Sequence, residues 1–114
     1  MDYLENIKAQ LRKGILEFAI LVTIENDELY ASDILKKLRN TQLIVVEGTL
    51  YPLLSRLKRH ELVVYEWQES KSGPPRKYYK LTLKGQAALA GLKDSWSELY
   101  TSINSLMKKH EKSS

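Results

Sequence analysis

The sequence contains no cysteine, which excludes disulfides and thiolate metal sites. It has two histidines, His60 and His110, and neither has a carboxylate or a second histidine at ligand spacing. With five glycines in the whole chain, no phosphate-cradling glycine loop is formed. No Ser, His and Asp arrangement stands out either. Catalysis therefore has little support, and no metal or cofactor is expected. His60 ends a helical segment, where an imidazole can sit beside the free carbonyls. Long apolar runs are also missing. The longest, Phe18 to Ile24, is interrupted by Thr23 and falls far short of the ~18 residues of a membrane span. Asp2 and Glu5 stand where an export signal would carry Lys or Arg, so the expected location is cytoplasmic, without a membrane partner.

Acidic residues are scarce in the middle of the chain. Residues 31 to 86 hold eleven Lys or Arg against five Asp or Glu, a net +6 within a chain of net +4. A basic centre between acidic flanks points to a polyanion as partner. What remains is ordinary for one compact domain of 114 residues with perhaps an appended helix: 43% hydrophobic and 28% charged.

Hydrophobic periodicity divides the chain into five pieces. Residues 3 to about 26 carry Leu4, Ile7, Leu11, Ile15, Phe18 and Val22 along one helical face. Leu16, Ile20 and Ile24 form a second apolar line, so this helix must bury two sides. Asn26-Asp27 provides a turn. A short helix over 31–39 turns Ile34, Leu35 and Leu38 inward, with Ser32 or Asp33 available to cap it. Leu43 to Val46 reads as an extended connector. A third helix covers about 47 to 60, with Leu50, Leu53, Leu54 and Leu57 buried. Thr49, Tyr51, Ser55, Arg56, Lys58 and Arg59 lie largely on the other side. Pro52 leaves its start open: the helix either includes Pro52 or begins near it.

Residues 63–68 and 76–83 alternate as two strands around the turn cluster Ser70-Lys71-Ser72-Gly73-Pro74-Pro75. The result is a hairpin with a basic tip. In residues 84 to 110, Leu89, Leu92, Trp96, Leu99, Ile103 and Leu106 are spaced 3, 4, 3, 4 and 3. That heptad seam suits another helix better than a globular core. The simplest partner is the same helix, or the first helix, of a second copy, which also places Leu4 and Leu11 at a dimer interface.

Three helices followed by a hairpin is the order of a winged helix-turn-helix. The major groove of B-DNA admits one helix, and the base edges there carry the sequence code. The expected fold is mainly α with a small β-hairpin: a winged helix-turn-helix over 1–83 and a C-terminal dimerisation helix over 84–114. The expected partner is double-stranded DNA. Candidate contacts are Ser32, Thr49, Tyr51, Ser55 and Arg56 from the helices and Lys71, Arg76 and Lys77 from the hairpin. Phosphate contacts would position the domain and base-edge contacts would specify. A protein-docking module on the same fold is the alternative.

Specific stretches carry a family resemblance. Leu11-Arg12-Lys13-Gly14-Ile15-Leu16-Glu17 resembles the opening helix of PadR-like transcriptional regulators. Thr49-Leu50-Tyr51-Pro52-Leu53-Leu54-Ser55-Arg56-Leu57 resembles their recognition helix, and Gly73 to Thr82 with Lys84-Gly85 their wing and last helix. The resemblance spans nearly the whole chain. It implies a homodimer formed through the last helix, helped by the first, that mostly represses transcription. It also implies release from DNA by small effectors such as phenolic acids or drugs. Two positions depart from the pattern. Val46 stands where the family often has Ser or Asn and cannot cap the third helix. Ala31 follows Tyr30 where the family often has Gly.

In some short members a tryptophan in a Ser-Trp-Ser setting lines a pore between subunits and stacks on planar ligands. This chain has Ser95-Trp96-Ser97. Trp96 is therefore either a dimer-core residue or part of an effector site. Glu17 interrupts the apolar run Ile15-Leu16-Glu17-Phe18, so it either faces solvent or sits beside that site. The effector reading groups Trp96, Phe18, Glu17 and Tyr100 around a planar aromatic or cationic molecule.

Overall fold

The computed structural model describes residues 2–43 and 45–112, with backbone alone over 109–112. Ile44 of the connector and the side chain of His110 lie outside the described residues. The order is α1 (Tyr3–Thr23), β1 (Leu29–Tyr30), α2 (Ala31–Arg39), α3 (Glu47–Arg59), β2 (Val63–Ser70), β3 (Gly73–Leu81) and α4 (Leu83–Lys112). The three strands form one antiparallel sheet in the order β1-β3-β2. The fold is the expected mainly helical winged helix-turn-helix, with one strand more than the sequence suggested.

The core is a single apolar cluster. Ile20, Leu21 and Ile24 from α1 meet Ile34, Leu35 and Leu38 from α2 and Leu50, Leu54 and Leu57 from α3. Val63, Tyr79 and Leu81 close it from the sheet, and Leu89 from α4. Each fully buried leucine or isoleucine contributes about 1.5–3 kcal/mol relative to leaving it exposed. Leu89 is 1% exposed within its own subunit, which corrects its assignment to a dimer seam. The heptad spacing runs on unbroken, but its first residue packs inward because α4 starts against the domain. Beyond that point the helix runs on beside α1, where Lys93 pairs with the Glu25 carboxylate at 2.7 Å, and it helps stretch the molecule to 62 Å.

Several local choices explain the element ends. Asp2 caps α1, its carboxylate accepting from the Glu5 N–H at 2.8 Å. The Tyr30 N–H donates to the Asp33 carboxylate at the start of α2. Val46 occupies the N-cap of α3 with no side-chain hydrogen bond. Pro52 lies inside α3, which settles the boundary in favour of the longer helix. A proline there cannot donate to the Gly48 carbonyl four residues back.

The end of α3 is a Schellman turn: Leu62 N–H donates to the Leu57 carbonyl and Glu61 N–H to that of Lys58. His60 is the C-cap, and Glu61 takes the left-handed conformation with φ 64°. Glycine usually fills that place because a Cβ is penalised there. Glu61→Gly is therefore expected to stabilise the fold by up to about 1 kcal/mol. Urea denaturation checks it; a lower midpoint would contradict the strain.

The hairpin is tighter than the turn cluster implied. Strand pairing runs on to Ser70 and Gly73, leaving Lys71 and Ser72 as the tip. Pro74 and Pro75 belong to β3 but fall at a pairing irregularity between Gln68 and Ser70, beyond the reach of β1. There a missing N–H costs no ladder bond.

Candidate nucleic-acid interface

With Leu50, Leu54 and Leu57 buried, helical geometry of about 100° per residue fixes the outer face of α3. Its centre carries Gly48, Pro52, Ser55 and Arg59. Thr49 and Arg56 lie toward one edge, Tyr51 and Lys58 toward the other. Thr49, Tyr51, Ser55 and Arg59 are exposed, and among the described residues nothing stands within 4 Å of a Cβ placed on Gly48. Arg59 is central on this face, though its place in the helix-end basic cluster hid it among candidates in sequence. It has no ion-pair partner among the described residues.

Arg56 is differently employed. Its guanidinium donates to the Glu17 carboxylate of α1 at 3.0 Å, and both side chains are partly buried. This corrects two expectations. Arg56 is tied down by α1 instead of standing free toward DNA. Glu17 turns toward α3 and not into an effector site. The pair fastens the candidate recognition helix to the first helix.

The wing places its cations on opposite faces, because Arg76 and Lys77 are neighbours on a strand. Arg76 reaches across to α2, with Nη2 3.4 Å from Ser32 Oγ and the guanidinium 4.5 Å from the Tyr30 ring centre. Tyr30 in turn meets Tyr78 edge-on at 4.7 Å. Lys77 stands directly across the ladder from Trp67. Its ammonium lies 4.5 Å from the Tyr65 ring and 5.4 Å from the Trp67 ring, while Lys58 of α3 sits 5.1 Å from Tyr65. Lys71 is exposed at the tip. Burial pushes the Tyr79 phenol above its ordinary value of 10.0, helped by the nearby Tyr51 and Tyr65. It stays protonated, a neutral donor, at physiological pH.

A second feature lies between α1 and α4. An apolar groove of about 670 Å³ is lined by Phe18, Trp96 and Tyr100 among others. Trp96 is 6.2 Å from Phe18 and 6.0 Å from Tyr100, centre to centre, both tilted. Three of the four expected effector residues thus come together, and Glu17 is the exception. Among the described residues, no charged side chain lines the groove. Leu4, Leu11, Leu92, Leu99, Ile103 and Leu106 are exposed along the same two helices.

The family model for PadR-like transcriptional regulators matches residues 20–91. The chain belongs to that family. Its members are regulators of transcription, not enzymes. A PadR-like transcription factor from Bacteroides fragilis is 55% identical, superposes with a TM-score of 0.77, and the match covers 89% of this chain and 98% of that one. A PadR-like transcriptional regulator from Bacillus cereus is 37% identical with a TM-score of 0.77, covering 86% of this chain and 96% of the other. Bacillus subtilis PadR, solved in complex with operator DNA, is 22% identical with a TM-score of 0.64 over 68% of this chain and 46% of that one. At that identity the likeness speaks for the fold alone. Among the described residues, no helix is long and apolar enough to cross a membrane.

Proposed function

We propose that this family member is a repressor that binds duplex DNA as a homodimer on a two-fold operator in the cytoplasm. Residues 1–83 bind DNA, and 84–114, helped by α1, pair the subunits. The observation that carries the reading is the set of cations Lys58, Arg59, Lys71, Arg76 and Lys77. They gather on α3 and the wing, and none has a carboxylate partner among the described residues. Ser55 and Thr49 offer hydroxyls to base edges on the same surface. Bacillus subtilis PadR, which shares the fold, was crystallised on operator DNA, which supports the same use here.

The exposed apolar line Leu92, Trp96, Leu99, Ile103 and Leu106, with Leu4 and Leu11, is the surface for the second copy. The groove at Phe18, Trp96 and Tyr100 receives a planar aromatic effector. Without Glu17 it has no charge to favour a cation.

Fluorescence anisotropy with labelled duplex from the region upstream of its own gene tests DNA binding. The association constant should fall with salt at a log–log slope of about 0.9 per phosphate contacted. Absence of binding at low salt, with the chain folded, would overturn the reading in favour of a protein-docking module.

A further inference from the structure

Between the wing and the helices lies a cleft of about 330 Å³. The start of α2 supplies Ser32, α3 supplies Tyr51, and the wing supplies Trp67, Arg76 and Lys77. Trp67 is 62% exposed, an unusual state for so large an apolar side chain on a short hairpin. It meets Tyr65 edge-on at 6.0 Å but lies outside the buried cluster. Val63, Tyr79 and Leu81 already complete the sheet's share of the core.

The two wing cations are held in a particular way. Arg76 rests on Tyr30, and Lys77 on Tyr65 and Trp67. An aromatic face orients a cation without neutralising it. A carboxylate would also orient it, but would then have to be displaced by any incoming anion. Lys80 on the same strand shows the contrast: its ammonium is 3.5 Å from the Glu66 carboxylate. The charges at the cleft are thus fixed in place and still available. Ser32 Oγ and the Tyr51 hydroxyl add neutral donors beside them.

Resting on the DNA reading above, we propose that this cleft seats one phosphodiester of the strand passing between recognition helix and wing. In a winged helix whose α3 enters the major groove, the backbone leaving that groove must cross the gap between α3 and the hairpin. Arg76 and Lys77, which both line the cleft, meet the phosphate, and Ser32 and Tyr51 donate to its oxygens. Trp67 packs its indole on the adjoining deoxyribose, which accounts for its exposure. Trp67 is a DNA-contacting residue that adds affinity without charge and without reading sequence.

The test uses the full chain, two labelled duplexes of equal length, one from its own upstream region and one random, and the variants Trp67→Ala and Trp67→Phe. Trp67→Ala should weaken binding to both duplexes by the same factor, about a hundred-fold, because the homodimer loses two aromatic contacts of about ten-fold each. Its salt slope should stay unchanged, because no charge is removed. Trp67→Phe should restore most of the loss. Tryptophan emission should change on DNA addition in the wild type and not in Trp67→Phe. If the wild type binds duplex while Trp67→Ala matches it and emission stays constant, the cleft proposal fails and the DNA reading stands. If the wild type binds neither duplex, both fall.

Discussion

Gly85→Ala should lower the thermal midpoint by roughly 10–15 °C, although alanine is the better helix former. Local propensity alone predicts a gain of about 1 kcal/mol for this change inside α4. Packing overrides it. A Cβ on Gly85 would lie 1.9 Å from the Leu62 carbonyl oxygen, 2.9 Å from its carbon and 3.3 Å from its Cα. These are backbone atoms, and they are pinned. Leu62 N–H donates to Leu57, and its carbonyl accepts from Thr82 N–H at 3.1 Å. Thr82 Oγ1 donates to the Glu61 carbonyl at 2.6 Å and accepts from Gly85 N–H at 2.9 Å. No side chain can swing away to make room, so α4 or the turn after α3 must shift. Overpacking of this kind costs about 3 kcal/mol. Differential scanning calorimetry measures it directly, and an unchanged or raised midpoint would refute the close approach.

The double variant Arg76→Ala/Lys77→Ala should weaken DNA binding roughly 60-fold at 0.1 M salt, relative to a 1 M reference where the ionic term vanishes. The two cations share one phosphate in each subunit, so the homodimer loses two phosphate contacts, and at about 0.9 each the slope should fall by about 1.8. The loss should be the same for every duplex, because phosphate contacts carry no sequence information. Both residues lie on the wing, away from the buried cluster, so the fold should survive losing their aromatic contacts, each about 0.5–1 kcal/mol. Anisotropy titrations at four or five salt concentrations provide the measurement. A slope equal to the wild type would remove the wing cations from the interface.

Much of the fold was legible because each long segment has one period and one apolar stripe. α1, α3 and α4 are amphipathic over several turns, and the hairpin alternates. β1 escaped notice because two residues define no period; Leu29 and Tyr30 form a strand only because β3 offers them Tyr79 and Tyr78. Periodicity also tells which side of a helix is apolar, but not which neighbour covers it. Leu89 therefore read as the first seam residue when it belongs to the core. Glu17 and Arg56 were each judged by their own helix, and their pairing across 39 residues of sequence was invisible. Nothing in the alternation of residues 63–68 marks Trp67 as exposed. Its exposure follows from how far the hairpin extends past the last core residues, which no local pattern records.

The join between wing and last helix has a mechanical meaning. Thr82 alone separates the end of β3 at Leu81 from the start of α4 at Leu83, and its hydroxyl clamps both sides. There is no slack loop to absorb motion. Were α4 to tilt, this join would pass the displacement to the hairpin, as a bell crank does, with Gly85 at the pivot. The groove beside Trp96 lies on one arm of that crank, and the cations of the wing ride on the other.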